Sequence, residues 1–122
     1  ALLRRWADVD DLAVAVTTGG TGLSPRDRTP QATEQVIDYR VPGLEEAMRA
    51  ASIALVPAAM LSRGVAGVRG RTLIVNLPGS ERGARENLAV VLPVFAHACA
   101  LLREREEETA RAHRQTQADG RA

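Results

Sequence analysis

The sequence predicts an α/β fold: a three-layer, open, mostly parallel sheet with helices on both faces. Two short apolar runs, 12–16 and 71–76, have the length of strands that are buried on both faces, as in a parallel sheet. Each run leads through a glycine-containing turn into a helical pattern, which is the order of a βα unit. Between Leu88 and Leu102 apolar residues recur at i, i+3, i+4 and i+7, which predicts a helix packed on the sheet.

Length and composition favour one domain. The chain has 122 residues and is 45% hydrophobic, enough for a single ordinary core. We assign residues 1–103 to this domain and 104–122 to a charged C-terminal tail that is frayed or disordered, because the composition changes there to a run of Arg and Glu. The apolar runs fall short of the roughly 20 residues that span a bilayer, and no signal peptide is evident. We therefore expect a cytoplasmic protein with no membrane partner.

Charge and rare residue types exclude several functions. The net charge is +1, so no strong field attracts nucleic acid, and aromatic residues make up only 2%, too few for base stacking. All 16 basic residues are Arg, which excludes a Schiff-base lysine and the lysine of a phosphate-binding P-loop. Cys99 is the single cysteine, so no internal disulfide is possible. We expect no nucleic-acid partner.

The first half of the chain predicts one strand between two helices. Residues 1–11 contain the end of a helix and a turn, and the strand 12–16 follows. Thr29 is placed to cap the next helix and Pro30 to occupy its first turn. We expect that helix to continue to about Arg40.

The second half predicts two helices, a pair of loops and the second strand. Pro42-Gly43 is expected to form a turn that stops the preceding helix, and residues 53–56 lead into a loop ending at 60–64. The segment 64–70, with three glycines, is expected to form a second loop. The apolar face of the helix after Pro42 consists of Leu44, Ala47, Met48 and Ala51. The apolar stripe of the last helix consists of Leu88, Val91, Leu92, Phe95, Cys99 and Leu102.

The most specific stretch is 17–30, Thr-Thr-Gly-Gly-Thr-Gly-Leu-Ser-Pro-Arg-Asp-Arg-Thr-Pro, directly after the first strand. Its glycines permit a sharp turn and close approach to a ligand, and backbone N–H groups at a helix start attract phosphate. A tight turn without a ligand is the alternative. Asp27 is either a Mg²⁺ ligand beside a polyphosphate or a helix-start residue paired with Arg26 or Arg28.

A second strand-to-helix turn, 76–80, has the sequence Asn-Leu-Pro-Gly-Ser, and Ser80 is placed to cap the last helix. Because it follows the second strand, it is expected at the same end of the sheet as the glycine stretch. Ser62 and Arg63 either line the crevice between the two turns or are simply solvated. His97 lies off the apolar stripe of its helix, so it does not indicate a metal site.

These motifs, together with the segments 59–63 and 66–70, resemble the motifs of the molybdenum cofactor biosynthesis domain family. They also occur in the same order along the chain as in that family. The resemblance covers about residues 12–102, and the closest branch is that of the molybdopterin adenylyltransferases. It implies a molybdopterin-binding domain that transfers AMP from ATP, with Mg²⁺, to the terminal phosphate of molybdopterin, releasing pyrophosphate. A homotrimer is implied, and a molybdenum-inserting enzyme is a possible downstream partner.

The resemblance also implies the roles of individual residues. Asp27 and Ser62 would be catalytic, and Asp27 would be the metal ligand. The nucleotide and molybdopterin ligands would be Thr17, Thr18, Gly19, Gly20, Thr21, Gly22, Asn76, Pro78, Gly79 and Ser80.

The resemblance departs at the front of the chain. Family members carry a strand, a helix and a second acid upstream, so we expect an N-terminally truncated domain. Two alternatives follow: a non-catalytic molybdopterin-binding or scaffold relative, and the molybdenum-inserting enzyme, which needs further domains.

Overall fold

The computed structural model describes the backbone of residues 1–119 and the side chains of residues 1–104 and of Arg114. The predicted tail lies partly outside the described residues, at 120–122, and whether it frays stays a prediction. A short 3₁₀ turn spans Pro57–Leu61. The elements are α1 (Leu2–Asp8), β1 (Val14–Thr18), α2 (Thr29–Glu34), β2 (Tyr39–Arg40), α3 (Pro42–Ile53), β3 (Ala66–Arg69), β4 (Thr72–Leu77) and α4 (Glu81–Asp119).

The strands form one mixed sheet in the order β1-β4-β3-β2. β1 and β4 are parallel, whereas β3 is antiparallel to both β4 and β2. The α/β fold is therefore confirmed, but the sheet is mixed rather than mostly parallel. The reason is the connection Gly70-Arg71, which is too short for a crossover and allows only a hairpin. Gly70 has a φ of +58°, which suits the tight turn.

The prediction of a loop at 64–70 is wrong for the residues that form β3. Gly67 was interpreted as a loop residue, yet it lies inside the strand. A Cβ on Gly67 would lie 2.7 Å from the carbonyl oxygen of Tyr39. Glycine at this position therefore permits the close approach of β2, which is a known use of glycine within strands.

Three helix boundaries also differ from the prediction. Arg28 is the N-cap of α2, so Thr29 is its first residue rather than its cap. The helix ends at Glu34 and not near Arg40, because residues 39–40 pair with β3. Pro42 begins α3 instead of stopping the previous helix, since the first turn of a helix needs no N–H donor.

The core lies on both faces of the sheet because β4 alternates its side chains between them. Leu73, Val75 and Leu77 face α3 and α4, whereas Ile74 faces α1 and α2. The first cluster also contains Met48, Ala66, Val68, Val91 and Phe95. The second contains Ala15 and Val36, with Leu3, Trp6 and Ile37 packed against it. This arrangement gives the three predicted layers.

The apolar stripe of α4 is narrower than predicted. Val91 and Phe95 are buried, but Leu92 is 55% exposed because it follows Val91 by about 100° around the helix. Cys99 is half-buried. In contrast to the expectation from the apolar runs, residues 81–104 are long and apolar enough to cross a membrane by length and composition alone, a test that core helices of soluble proteins also pass. The burial of Val91 and Phe95 gives this helix a role in the core.

Ion pairs connect α1 and the segment after it to the β3-β4 hairpin. Arg69 donates two hydrogen bonds to the Asp8 carboxylate, at 3.0 and 2.8 Å, and Arg71 pairs with Asp11. The hydrogen bonds from Arg69 lower the pKa of Asp8, and those from Arg71 lower the pKa of Asp11. Both carboxylates therefore favour the charged form that holds α1 beside the sheet.

We expect Leu73→Ala to lower the free energy of unfolding by about 2–5 kcal/mol, because truncating a fully buried leucine leaves a cavity. Leu92→Ala is the matched control, and we expect it to change stability by less than about 0.5 kcal/mol. Urea unfolding followed by circular dichroism measures both variants. Equal losses would contradict the burial of Leu73 in β4 and the exposure of Leu92 on α4.

Candidate active site

The parallel pairing of β1 and β4 brings the two predicted turns together. Thr18 lies opposite Leu77 in the register, so the segments that follow these residues leave the sheet at the same edge. The backbone N–H of Gly19 donates to the Leu77 carbonyl at 2.9 Å. A Cβ on Gly79 would lie 3.2 Å from the Gly19 Cα, so the two turns touch backbone to backbone.

At each of the three glycines in the first turn, a different steric constraint disfavours a larger residue. Gly19 and Gly20 have φ values of +87° and +71°, which residues with a Cβ rarely adopt. A Cβ on Gly20 would also collide with Thr29 Oγ1, which would be 2.2 Å away. A Cβ on Gly22 would lie 2.8 Å from Asp27 Oδ2. Residues 19–22 therefore form a tight turn whose backbone can approach a ligand closely.

Asp27 closes a small loop with Ser24. Its Oδ2 accepts a hydrogen bond from the Ser24 N–H at 3.2 Å, and its own N–H donates to the Ser24 carbonyl at 2.8 Å. In the described part of the chain, neither Arg26 nor Arg28 pairs with this carboxylate, so the alternative interpretation as an ion-paired residue is wrong. Asp27 is half-buried, and its other carboxylate oxygen, Oδ1, accepts no hydrogen bond from a described residue.

The side chain of Asn76 connects three segments around the site through hydrogen bonds. Its side chain is fully hydrogen-bonded inside the protein: Oδ1 accepts from the Val65 N–H at 3.0 Å, and Nδ2 donates to Thr17 Oγ1 at 2.9 Å and Thr33 Oγ1 at 3.0 Å. Asn76 is only 2% exposed. Asn76 and Thr17 therefore hold the strand ends in position, and contact of either residue with a ligand stays a prediction. The role of Thr33 was not predicted.

Ser62 and Ser80 each form a local turn through their hydroxyls. Ser62 Oγ accepts from the Gly64 N–H at 3.4 Å, and the Ser62 carbonyl accepts a hydrogen bond from Arg49 at 2.9 Å. Ser80 Oγ accepts from the Gly83 N–H at 3.1 Å, which confirms its predicted role as the cap of α4.

A cavity of about 230 Å³ lies between α3, the 3₁₀ turn and the start of α4. Four predicted site residues line it, together with side chains that sequence reasoning did not select. The predicted ones are Ser62, Asn76, Pro78 and Ser80, and the others include Met48, Arg49, Ser52, Arg82 and Asn87. The glycine turn and Asp27 do not line this cavity. The predicted residues therefore form two neighbouring groups that meet where Gly19 touches Gly79.

Arg63 forms more contacts with the residues of the site than the sequence indicated. It donates to the Gly22 carbonyl at 2.9 Å through Nε and to the Asp27 carbonyl at 2.8 Å through Nη2. Its backbone N–H donates to the Thr21 carbonyl at 2.8 Å. Only its position in a loop near Ser62 had suggested that it belongs to the site.

No group of three or more His, Cys, Asp or Glu side chains that could hold a metal ion occurs among the described residues. A protein-only metal cage is therefore not formed by this part of the chain. Mg²⁺ in nucleotide sites commonly uses one or two carboxylates and the substrate phosphates. Asp27, with one carboxylate oxygen available, fits that second mode.

The chain is similar to proteins of the molybdenum cofactor pathway. It is 47% identical over 100 residues to the molybdopterin adenylyltransferase of Helicobacter pylori, covering 82% of this chain and 57% of that protein. It is 47% identical over 101 residues to gephyrin of Dictyostelium discoideum, covering 83% of this chain and 14% of gephyrin. The chain thus spans little more than half of the first relative and a small part of the second.

Solved structures of molybdopterin biosynthesis proteins are also similar to this chain. The molybdopterin biosynthesis enzyme MoaB of Thermus thermophilus has a TM-score of 0.77 and 60% identity, with 83% of this chain and 64% of that chain covered. The molybdopterin biosynthesis Mog protein of Mycobacterium ulcerans has a TM-score of 0.78 and 46% identity, with 83% and 66% covered.

The family model described as a probable molybdopterin binding domain matches residues 1–97, which include every element from α1 to the buried part of α4. This chain therefore belongs to the molybdenum cofactor biosynthesis family.

Proposed function

We propose that this domain transfers AMP from ATP to the terminal phosphate of molybdopterin. The observation that carries the proposal is the backbone contact of the glycine turn with the turn after β4, beside an available carboxylate oxygen of Asp27. Relatives named molybdopterin adenylyltransferase, at 47% identity, support the choice of reaction.

In this reaction an oxygen of the molybdopterin phosphate attacks the α-phosphorus of ATP. A P–O bond forms to that oxygen while the bond between the α-phosphorus and the bridging oxygen breaks, and pyrophosphate leaves with the electron pair. Both reactants are anionic, so the protein has to position them and offset their charge rather than supply a nucleophile. The absence of a Ser-His or Cys-His pair from the described site is consistent with this chemistry.

The glycine turn would bind the nucleotide phosphates through its backbone. Gly19 and Gly20 turn the backbone sharply with positive φ, and a turn of this kind can present neighbouring N–H groups to an anion. The hydroxyls of Thr18 and Thr21 lie in the same turn. Arg63 donates hydrogen bonds to the Thr21 and Gly22 carbonyls, and the Thr29 N–H donates to the Gly20 carbonyl. Because these bonds hold the backbone in place, little ordering is needed when phosphate binds.

Asp27 would hold Mg²⁺ that arrives with ATP. When bound, the ion offsets negative charge on the phosphate oxygens. Asp27 remains oriented by the hydrogen bond from the Ser24 N–H, which leaves one oxygen directed away from that contact.

The cavity beside α3 would receive part of molybdopterin. At about 230 Å³ it is smaller than most small-molecule sites, so it suits one end of a larger ligand. Arg49, Ser62 and Arg82 supply polar groups around it, and Met48 supplies an apolar wall. Pro78 and Ser80, which line the cavity, flank Gly79, whose backbone touches the glycine turn at Gly19. One larger ligand could therefore contact both the cavity and the turn.

A binding-only role is the second candidate function. It is favoured by one observation: neither Asp27 nor the glycine turn lines the cavity beside α3. A protein of this kind would bind molybdopterin without turning over ATP.

A homotrimer, a cytoplasmic location and transfer of the product to a molybdenum-inserting enzyme stay predictions. Size-exclusion chromatography with light scattering tests whether the protein is a homotrimer.

We expect Asp27→Asn to reduce pyrophosphate release from ATP and molybdopterin by at least about 100-fold, because the neutral amide no longer holds the cation. Asp10→Asn, an exposed acid near the end of α1, is the control and should retain wild-type activity. The assay is release of pyrophosphate at saturating Mg²⁺. Tight molybdopterin binding with no pyrophosphate release by the wild-type protein would instead select the binding-only function.

We expect Gly20→Ala to weaken binding of ATP with Mg²⁺ by at least about tenfold, because the residue has a positive φ and its Cβ would collide with Thr29. Gly43→Ala in α3 is the matched control, since no atom lies within 4 Å of a Cβ built there. Isothermal titration calorimetry measures both variants. Unchanged affinity in Gly20→Ala would show that the turn is not part of the nucleotide site.

A further inference from the structure

Segment 22–27 connects the glycine turn to α2 and carries Asp27. Its internal hydrogen bonds join Ser24 to Asp27 and to Arg26. In the described residues, every hydrogen bond from this segment to the remainder of the protein is donated by the Arg63 side chain. One guanidinium thus anchors both ends of the segment, at the carbonyls of Gly22 and Asp27.

The geometry uses a property that only arginine has. Nε and Nη2 lie on the same edge of the planar guanidinium and can donate two hydrogen bonds at once to acceptors at a fixed spacing. Here the acceptors are two backbone carbonyls at 2.9 and 2.8 Å. A lysine ammonium is a single donor centre and cannot reproduce this fork.

Arg63 also differs from the other half-buried arginines. Arg49 pairs with Glu45, Arg69 with Asp8 and Arg71 with Asp11. Arg63 forms no ion pair with any described residue and donates only to neutral carbonyls. Its positive charge therefore remains available beside a turn that is built to bind an anion.

The loop that carries Arg63 is itself held by α3. Arg49 donates to the carbonyl of Ser62, the residue before Arg63, and also contacts the Glu45 carboxylate at 3.7 Å. Glu45 is 5% exposed and accepts further hydrogen bonds from Arg40 and from the Ala66 N–H. This chain of contacts connects segment 22–27 to the centre of the sheet.

We propose that Arg63 is a positioning residue that fixes segment 22–27, and through it Asp27, in the conformation that binds the nucleotide and its cation. This inference rests on the proposed function for its catalytic consequence. Its structural part, the ordering of segment 22–27, does not depend on turnover.

The test is Arg63→Lys, which keeps the charge and the aliphatic stem but loses the fork. Trypsin cleaves after Arg26 and Arg28, both within or beside the segment, so the rate of cleavage there, followed by mass spectrometry, reports its opening. We expect cleavage at these two sites to become about tenfold faster in Arg63→Lys. Arg69→Lys is the matched control, because Arg69 also donates to a carbonyl, that of Val36, but lies away from the site.

The catalytic consequence is measured on the same variant. We expect kcat to fall about tenfold and the Mg²⁺ concentration for half-maximal rate to rise, while the KM for molybdopterin changes less than about twofold. A merely structural role would lower the melting temperature without changing the Mg²⁺ dependence. Arg63→Gln, which also lacks the charge, should weaken ATP binding further than Arg63→Lys.

Cleavage of Arg63→Lys at the wild-type rate would overturn the inference. So would faster cleavage with unchanged Mg²⁺ and ATP dependence, since the segment would then be ordered without consequence for the site. If the wild-type protein shows no turnover, the proposed function fails, and the inference is then judged by cleavage together with protection of Arg26 and Arg28 by ATP and Mg²⁺.

Discussion

The parallel pairing of β1 with β4 is the constraint on which the site depends. It directs the segments after Thr18 and Leu77 to the same edge of the sheet, and the glycines that follow are small enough to touch. Asn76 reinforces this pairing because its amide connects β1, α2 and the segment before β3. A buried amide with satisfied hydrogen bonds favours one arrangement, since any other would leave polar groups unpaired.

The two faces of β4 make different kinds of contact. Leu73, Val75 and Leu77 pack against α3 and α4 and form the larger hydrophobic cluster. Asn76 faces the other side, where its hydrogen bonds hold the strand ends instead of adding apolar burial. The short period of a strand makes this possible, because neighbouring residues point to opposite faces.

Sequence patterns predicted the features that depend on local chemistry. β1 and β4 were located within two residues of their observed bounds, and the capping role of Ser80 and the helical pattern after it were correct. Local patterns failed at Gly67 and at Pro42. Glycine can break a strand or let another strand approach, and proline can end a helix or begin one. Which use applies depends on neighbours that are distant in the sequence.

By itself the sequence determined that this protein has an α/β fold, that two strands end in glycine-containing turns, and that its motifs are those of the molybdenum cofactor biosynthesis family. The first two conclusions depend on short runs of residues, in which periodicity and glycine spacing are direct consequences of backbone geometry. The third depends on the resemblance of the motifs to those of the family. Only the tertiary structure decided that the sheet is mixed, that Asn76 faces inward, and that Arg63 anchors the loop of Asp27. Those features depend on contacts between residues far apart in the chain, such as Arg63 with Gly22, and no local pattern specifies them.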